Sequence, residues 1–155
     1  MAESLLFKTA LSKAMAICSR REHCSQEIRE KLSSWEVGDS DSEKIISELI
    51  RENFLNEERF ASAFVKDKFN YNKWGKIKIS AQLKAKRIPS ATIKSALESI
   101  DDEVYKRSIT AIITSHRRSV KAKNQYDLKA KLLRYGLSKG FESNILYDIL
   151  NMTEE

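Results

Sequence analysis

Three apolar pairs with the i, i+4 spacing of a helix face, Ile28/Leu32, Ile79/Leu83 and Leu128/Leu132, follow one another at offsets of 51 and 49 residues. A spacing of four puts both side chains of a pair on one side of a helix, and recurrence at a long fixed period marks a repeat array. The punctuation agrees. One proline and four glycines in 155 residues leave too few turn residues for a set of short strands. The pattern predicts an all-α protein without strands, an elongated array of three tandem three-helix repeats at 1–55, 56–100 and 101–155. Each trio is expected to bury its own stripe and to share the remainder with its neighbours.

Taken in order, Leu5, Leu6, Leu11, Ala14, Met15, Ile17 and Cys18 mark a first amphipathic helix ending near Ser19. A second, capped by Cys24 or Ser25, carries Ile28 and Leu32. Ser40 with Glu43 three residues later reads as a capping box that opens a third, whose stripe is Ile45, Ile46, Leu49 and Ile50. Asn56 is placed as the next N-cap, with Glu57 and Glu58 in the first turn where the helix dipole favours carboxylates. Phe60, Ala61, Phe64 and Val65 form that helix's apolar face. Helices from Lys76 to Lys86 and from Ser90 to Ser99 complete the second trio, the latter started by Pro89-Ser90. Asp101-Asp102-Glu103 opens the seventh helix, with Tyr105, Ile109, Ile112 and Ile113 inward. Asn124 or Gln125 to Tyr135 is the eighth, closed by Gly136 as its C′ residue. Glu142 to Asn151 is the last.

Charge is distributed unevenly. The net +6 arises as −2 over residues 1–55, +6 over 56–100 and +2 over 101–155. Between Lys66 and Arg87 stand eight basic residues (Lys66, Lys68, Lys73, Lys76, Lys78, Lys84, Lys86, Arg87) against Asp67 alone, with Phe69, Tyr71 and Trp74 interleaved. So one-signed a run exceeds what surface salt bridging needs and attracts phosphates, acidic protein surfaces or anionic lipid. Lys78, Gln82 and Lys86 share one face, away from Ile79/Leu83. A second basic stretch in the third repeat holds Arg117, Arg118, Lys121, Lys123, Lys129, Lys131 and Arg134 against Asp127. The two faces could line one groove, neutralising phosphates without reading bases and giving salt-sensitive, largely non-specific affinity. The aromatics are base-stacking candidates, although packing at repeat junctions is the commoner use of such residues.

Catalytic chemistry finds no constellation. The four glycines stand apart, so no phosphate-cradling loop is formed. Cys18, His23, Cys24 and His116 match no zinc-ligand spacing, and His23-Cys24 reads as a surface histidine beside an N-cap. The expectation is a non-enzyme without metal or cofactor. No apolar run reaches membrane-span length, no secretory leader is read at the N-terminus, and two thiols suit a reducing cytoplasm.

At this point the chain resembles a known family. Arg21-Glu22-His23-Cys24-Ser25-Gln26-Glu27-Ile28-Arg29-Glu30-Lys31-Leu32 is similar to the R-x-H-S-x-x-E-L-x-x-K-L signature of the RecX family, regulators of the recombinase RecA. Phe54 to Val65 resembles that family's L-x-D-x-R-F-A-x-x-F-V block, and Gly75, Ile79 and Leu83 resemble its G-x-x-x-I-x-x-x-L continuation. Cys24 stands where the family usually has a capping serine, Ile28 replaces leucine, and the aspartate of the second block is Glu57 or is displaced by Asn56. The match covers residues 10–100; beyond them it rests on the repeat pattern.

The resemblance implies a protein of three tandem three-helix repeats that lodges in the groove of the RecA–DNA filament. There it typically inhibits ATP hydrolysis, strand exchange and co-protease activity by binding alone. The filament or its DNA would be touched by Lys66, Lys68, Lys73, Lys76, Lys78, Lys84, Lys86, Arg87, Arg117, Arg118, Lys121 and Lys129. Arg21 and Arg59 are read as structural partners of nearby glutamates. The expected partners are the RecA filament and, weakly, single- or double-stranded DNA; the expected state is a monomer. Two rivals stand beside this reading: a stand-alone, largely non-sequence-specific DNA-binding protein, and an adaptor whose basic face is only solubilising. Base readout needs Asn, Gln or Arg on an exposed helix, and lysines dominate here.

Overall fold

The computed structural model describes residues 4–151. These form α1 (Leu5–Arg20), α2 (Ser25–Ser34), α3 (Asp39–Arg51), α4 (Glu57–Asn70), α5 (Lys76–Ala85), α6 (Ser90–Glu98), α7 (Asp102–Arg117), α8 (Gln125–Ser138) and α9 (Ser143–Leu150), with no strand among the described residues. The most extensive contacts between helices fall within consecutive trios: α1 and α2 on α3, α4 and α5 on α6, α7 and α9 on α8. The array of three-helix repeats is therefore the observed architecture.

The first helix of every trio is capped by a polar side chain. Ser4 accepts from the Phe7 N–H at 3.1 Å, Asn56 from Arg59 at 3.0 Å and Asp101 from Val104 at 3.0 Å. Each satisfies one of the donors a helix leaves free at its start.

The second helices end alike. Val37, Ile88 and Phe141 donate their N–H groups back to the carbonyls of Leu32, Leu83 and Gly136 at 3.0, 3.1 and 3.1 Å. The residue before each, Glu36, Arg87 or Gly140, is left-handed, with φ of 62°, 62° and 91°. This is a Schellman closure, and it drops Val37, Ile88 and Phe141 into the core. It also corrects the repeat register. Leu132 is equivalent to Ile28 and Ile79, and Gly136 to Leu32 and Leu83, so the second offset at this point is 53. α8 has 14 residues where α2 and α5 have 10, and the extra turn made Leu128/Leu132 look like the matching pair. Gly136 is thus inside α8 and not its C′ residue; the left-handed residue is Gly140. A Cβ on Gly136 would lie 2.5 Å from Leu146 Cδ2, so the space a leucine fills in the other repeats is taken here from α9.

The same closure moves the start of α3. Gly38 is its N-cap, its carbonyl accepting from Ser42 at 2.9 Å. The expected capping box therefore does not form, and Glu43 pairs with Arg29 of α2 at 2.9 Å. In α1 the buried face is Phe7, Ala10 and Ala14, while Leu5 and Leu6 are exposed; Ile50 is likewise outside the core. His23 is buried, not superficial: its Nδ1 lies 3.1 Å from the Arg21 carbonyl, and burial pulls its pKa down.

Two hydrophobic clusters fill the molecule. Phe7, Ile28, Leu32, Ile45, Leu49 and Leu55 belong to the first trio's cluster. The second cluster runs unbroken through α4–α9, from Phe60 and Val65 through Ile79 and Leu83 to Tyr105, Phe141 and Leu146. Among the described residues, Cys24 is the one member of the first trio in it. Polar contacts make the remaining seam between the first and second trios: Arg59 to Glu22 at 2.5 Å, Lys86 to Glu27 at 2.9 Å and the Ser25 N–H to Glu57 at 3.0 Å. Arg59 is the structural residue the sequence suggests.

Candidate nucleic-acid interface

The turn between α4 and α5 carries the most concentrated positive charge. α4 ends at Asn70, and Lys73 takes a left-handed conformation, φ 58°, that lets the Trp74 N–H return to the Lys68 carbonyl at 3.1 Å. Trp74 is then half-buried and carries two ammonium groups, Lys68 at 5.2 Å and Lys78 at 4.7 Å from its ring centroid. Such cation–π contacts hold a charge in place without neutralising it.

The third repeat adds a cation that sequence reasoning missed. Lys139, just after α8, donates from Nζ to the Asn72 carbonyl at 3.0 Å. Burial, and then the charge of Lys78, lowers its pKa. Lys139 is 61 residues from Lys78 in sequence, and only the close approach of two backbones brings them together. The Gly75 N–H donates to the Lys139 carbonyl at 2.7 Å and the Ile77 N–H to the Gly140 carbonyl at 3.1 Å. A Cβ on Gly75 would fall 2.2 Å from the Gly140 oxygen, so this approach requires a glycine. The Lys76 N–H is held by the Tyr105 hydroxyl at 2.9 Å, which itself donates to Glu142. Burial, reinforced by that carboxylate, raises the Tyr105 pKa, so the phenol keeps its proton.

The other candidates divide. Lys76 Nζ lies over the Tyr105 ring at 4.7 Å and 3.9 Å from Asp102, inside the contact between repeats. Lys86 is the C-cap of α5 and is turned to Glu27, so Lys78, Gln82 and Lys86 do not make one free face. Lys66, Lys84 and Arg87 are exposed. Arg117 and Arg118 are exposed at the end of α7, Lys121 is exposed beyond it, and Lys129 is half-exposed on the second turn of α8. Among the aromatics, Phe69 is in the core 5.8 Å from Tyr105, and Tyr71 is exposed. What the structure assembles is a group of four ammonium groups, Lys68, Lys73, Lys78 and Lys139, around Asn72–Gly75. Asp67 lies 3.8 Å from Lys68, which also shares a groove with Glu22 and Glu27.

Family models and solved structures match this architecture. The family described as RecX, first three-helix domain, matches residues 10–49, and RecX, second three-helix domain, matches residues 56–97. The chain is 27% identical over 146 residues to the regulatory protein RecX of Clostridioides difficile, covering 94% of this chain and 68% of the relative. It is 29% identical over 152 residues to the regulatory protein RecX of Clostridium beijerinckii, covering 97% and 70%. The crystal structure of RecX from Lactobacillus salivarius superposes with a TM-score of 0.81 at 21% identity, covering 94% of this chain and 95% of that one. A second crystal structure, of a regulatory protein RecX, gives 0.85 at 20%, covering 94% and 71%. With both three-helix family domains in order and the fold shared throughout α1–α9, the chain belongs to the RecX family.

Proposed function

We propose that this protein regulates the recombinase RecA by docking on the RecA–DNA filament, without catalysis of its own, and that it inhibits ATP hydrolysis, strand exchange and co-protease activity. The observation that carries the reading is the group of four ammonium groups on Lys68, Lys73, Lys78 and Lys139, set by two repeats around Asn72–Gly75. Such a group suits a phosphate backbone approached by shape and charge. Arg87, Arg117, Arg118, Lys121 and Lys129, with Lys66 and Lys84, extend positive potential over α4, α5, α7 and α8 and steer association. Lys76 and Lys86 support the seams between repeats. The units 1–55, 56–100 and 101–155 would act as three lobes laid along a filament, in the cytoplasm and as a monomer.

The test is RecA ATP hydrolysis on single-stranded DNA, titrated with this protein at fixed moderate salt. Inhibition well below one protein per RecA supports docking on the filament. No effect on hydrolysis, together with salt-sensitive binding to bare DNA, sinks the regulator reading and leaves a stand-alone DNA-binding protein.

A further inference from the structure

We propose that the cleft between α7 and α8 is a binding site for a nucleotide unit of a single nucleic-acid strand. The proposal deepens the reading above, on which it rests for bringing nucleic acid to this face, by naming the form of nucleic acid the third repeat takes.

The cleft encloses about 670 Å³, within the range of small-ligand sites. One wall is a row of small residues, Ser108, Ala111, Ser115 and Ser119; the Ser108 and Ser115 hydroxyls suit sugar and phosphate oxygens, while Ser119 donates its own to the His116 carbonyl at 2.9 Å. Opposite, Tyr135 lies flat on His116, with ring centroids 3.5 Å apart and planes 8° from parallel. Lys73 and Lys139 also line the cleft, so it opens from the cationic cluster described above. An aromatic pair beside two ammonium groups and a hydroxyl row is the combination that sequence-tolerant single-strand sites use: a base stacks while its phosphates are neutralised.

A second groove continues over the outer surface of α7. It shares Ala111 and Ser115 with the cleft and adds Lys106, Arg107 and Arg118 with Thr110 and Thr114. No carboxylate, asparagine or glutamine lines either groove among the described residues. A strand leaving the cleft therefore meets further cations and hydroxyls but no asparagine or glutamine to pair with an adenine edge. Paired bases have no free face to offer His116 and Tyr135, so duplex is the poorer ligand for the cleft.

The experiment is fluorescence anisotropy of a labelled twelve-residue oligo(dT), and of a duplex of equal length, with the full chain at low salt and no RecA present. The wild type binds oligo(dT) more tightly than duplex. Ala111→Glu, an exposed position shared by both grooves, and Tyr135→Leu each weaken oligo(dT) binding at least about fivefold, whereas Tyr135→Phe binds like the wild type because the ring and not the hydroxyl is used. Circular dichroism checks that each variant is folded. The proposal is overturned if a folded Ala111→Glu binds oligo(dT) unchanged, if duplex binds as well as single strand, or if Tyr135→Phe loses as much as Tyr135→Leu. RecA hydrolysis, run in parallel, separates the two readings. Inhibition by the wild type with undiminished oligo(dT) binding by Ala111→Glu removes the cleft alone, and absence of inhibition by the wild type with the cleft behaving as described removes the regulator alone.

Discussion

The backbone N–H of Gly75, at the start of α5, donates to the carbonyl of Lys139, beyond the end of α8, at 2.7 Å. With the Ile77 N–H bond to the Gly140 carbonyl, that contact brings the backbones of the second and third repeats so close that Gly75 has no room for a side chain. Ala at position 75 would place a methyl group 2.2 Å from one backbone oxygen and 2.5 Å from Phe141 Cδ1. Gly75→Ala is expected to destabilise the protein by about 3 kcal/mol. Gly38→Ala, with nothing within 4 Å of its Cβ and a φ of −65°, should cost less than about 1 kcal/mol. Urea denaturation of the two variants side by side checks this; equal losses would remove the steric account.

Phe141 is fully buried and meets Tyr105 edge-on, with centroids 6.4 Å apart, in the cluster that runs through α4–α9. Phe141→Ala is expected to cost about 3–5 kcal/mol. Its effect on amide exchange should spread through α4–α9 and largely spare α1–α3, which have their own cluster. Leu49→Ala should give the converse footprint. Exchange that accelerates uniformly in all nine helices in both variants would contradict the division into two cores.

Glu27 joins the first two repeats. It accepts from the Cys24 N–H at 3.2 Å and from Lys86 at 2.9 Å. Burial pushes its carboxyl pKa up, but the two hydrogen bonds and the Lys86 charge outweigh that and leave it below the usual value. A depressed folded-state pKa means stability that is present above the unfolded value, about 4.3, and lost as pH falls through the folded one. Glu27→Gln should therefore cost about 1–2 kcal/mol at pH 7. The gap between wild type and variant should close on acidification below about pH 4. Thermal melts across pH 3–7 test this, and a gap independent of pH would contradict it.

Lys73 and Lys78 stand on the cationic cluster, whereas Lys86 is engaged with Glu27. Lys73→Gln and Lys78→Gln are each expected to lower DNA affinity and to flatten the dependence of log affinity on log salt by about one, with little change in stability. Lys86→Gln should lower stability and leave the salt slope nearly unchanged. Binding titrations at several salt concentrations separate the two classes. A reduced slope for Lys86→Gln equal to that of Lys78→Gln would show that Lys86 is free to reach the ligand.

What the sequence determined is whatever depends on neighbours along the chain. The apolar pairs at i, i+4 and the scarcity of proline and glycine specify helices and their number. Asn56, Asp101 and Asn124 mark helix starts because a side chain capping an N–H three residues on is a local event, and the excess of lysine between 66 and 87 marks the charged region for the same reason. Only the tertiary structure decided the rest. The equivalence of Leu132 to Ile79 depends on α8 having an extra turn and on Leu146 reaching into the space at Gly136, neither of which a period reveals. Lys86 left the candidate surface because Glu27, 59 residues away, holds it. Lys139 joined that surface because Gly75 and Gly140 lack the atoms that would keep two repeats apart. Local propensity chooses the helices, but which charges remain free is set by long-range packing, where one backbone contact outweighs any pattern along the chain.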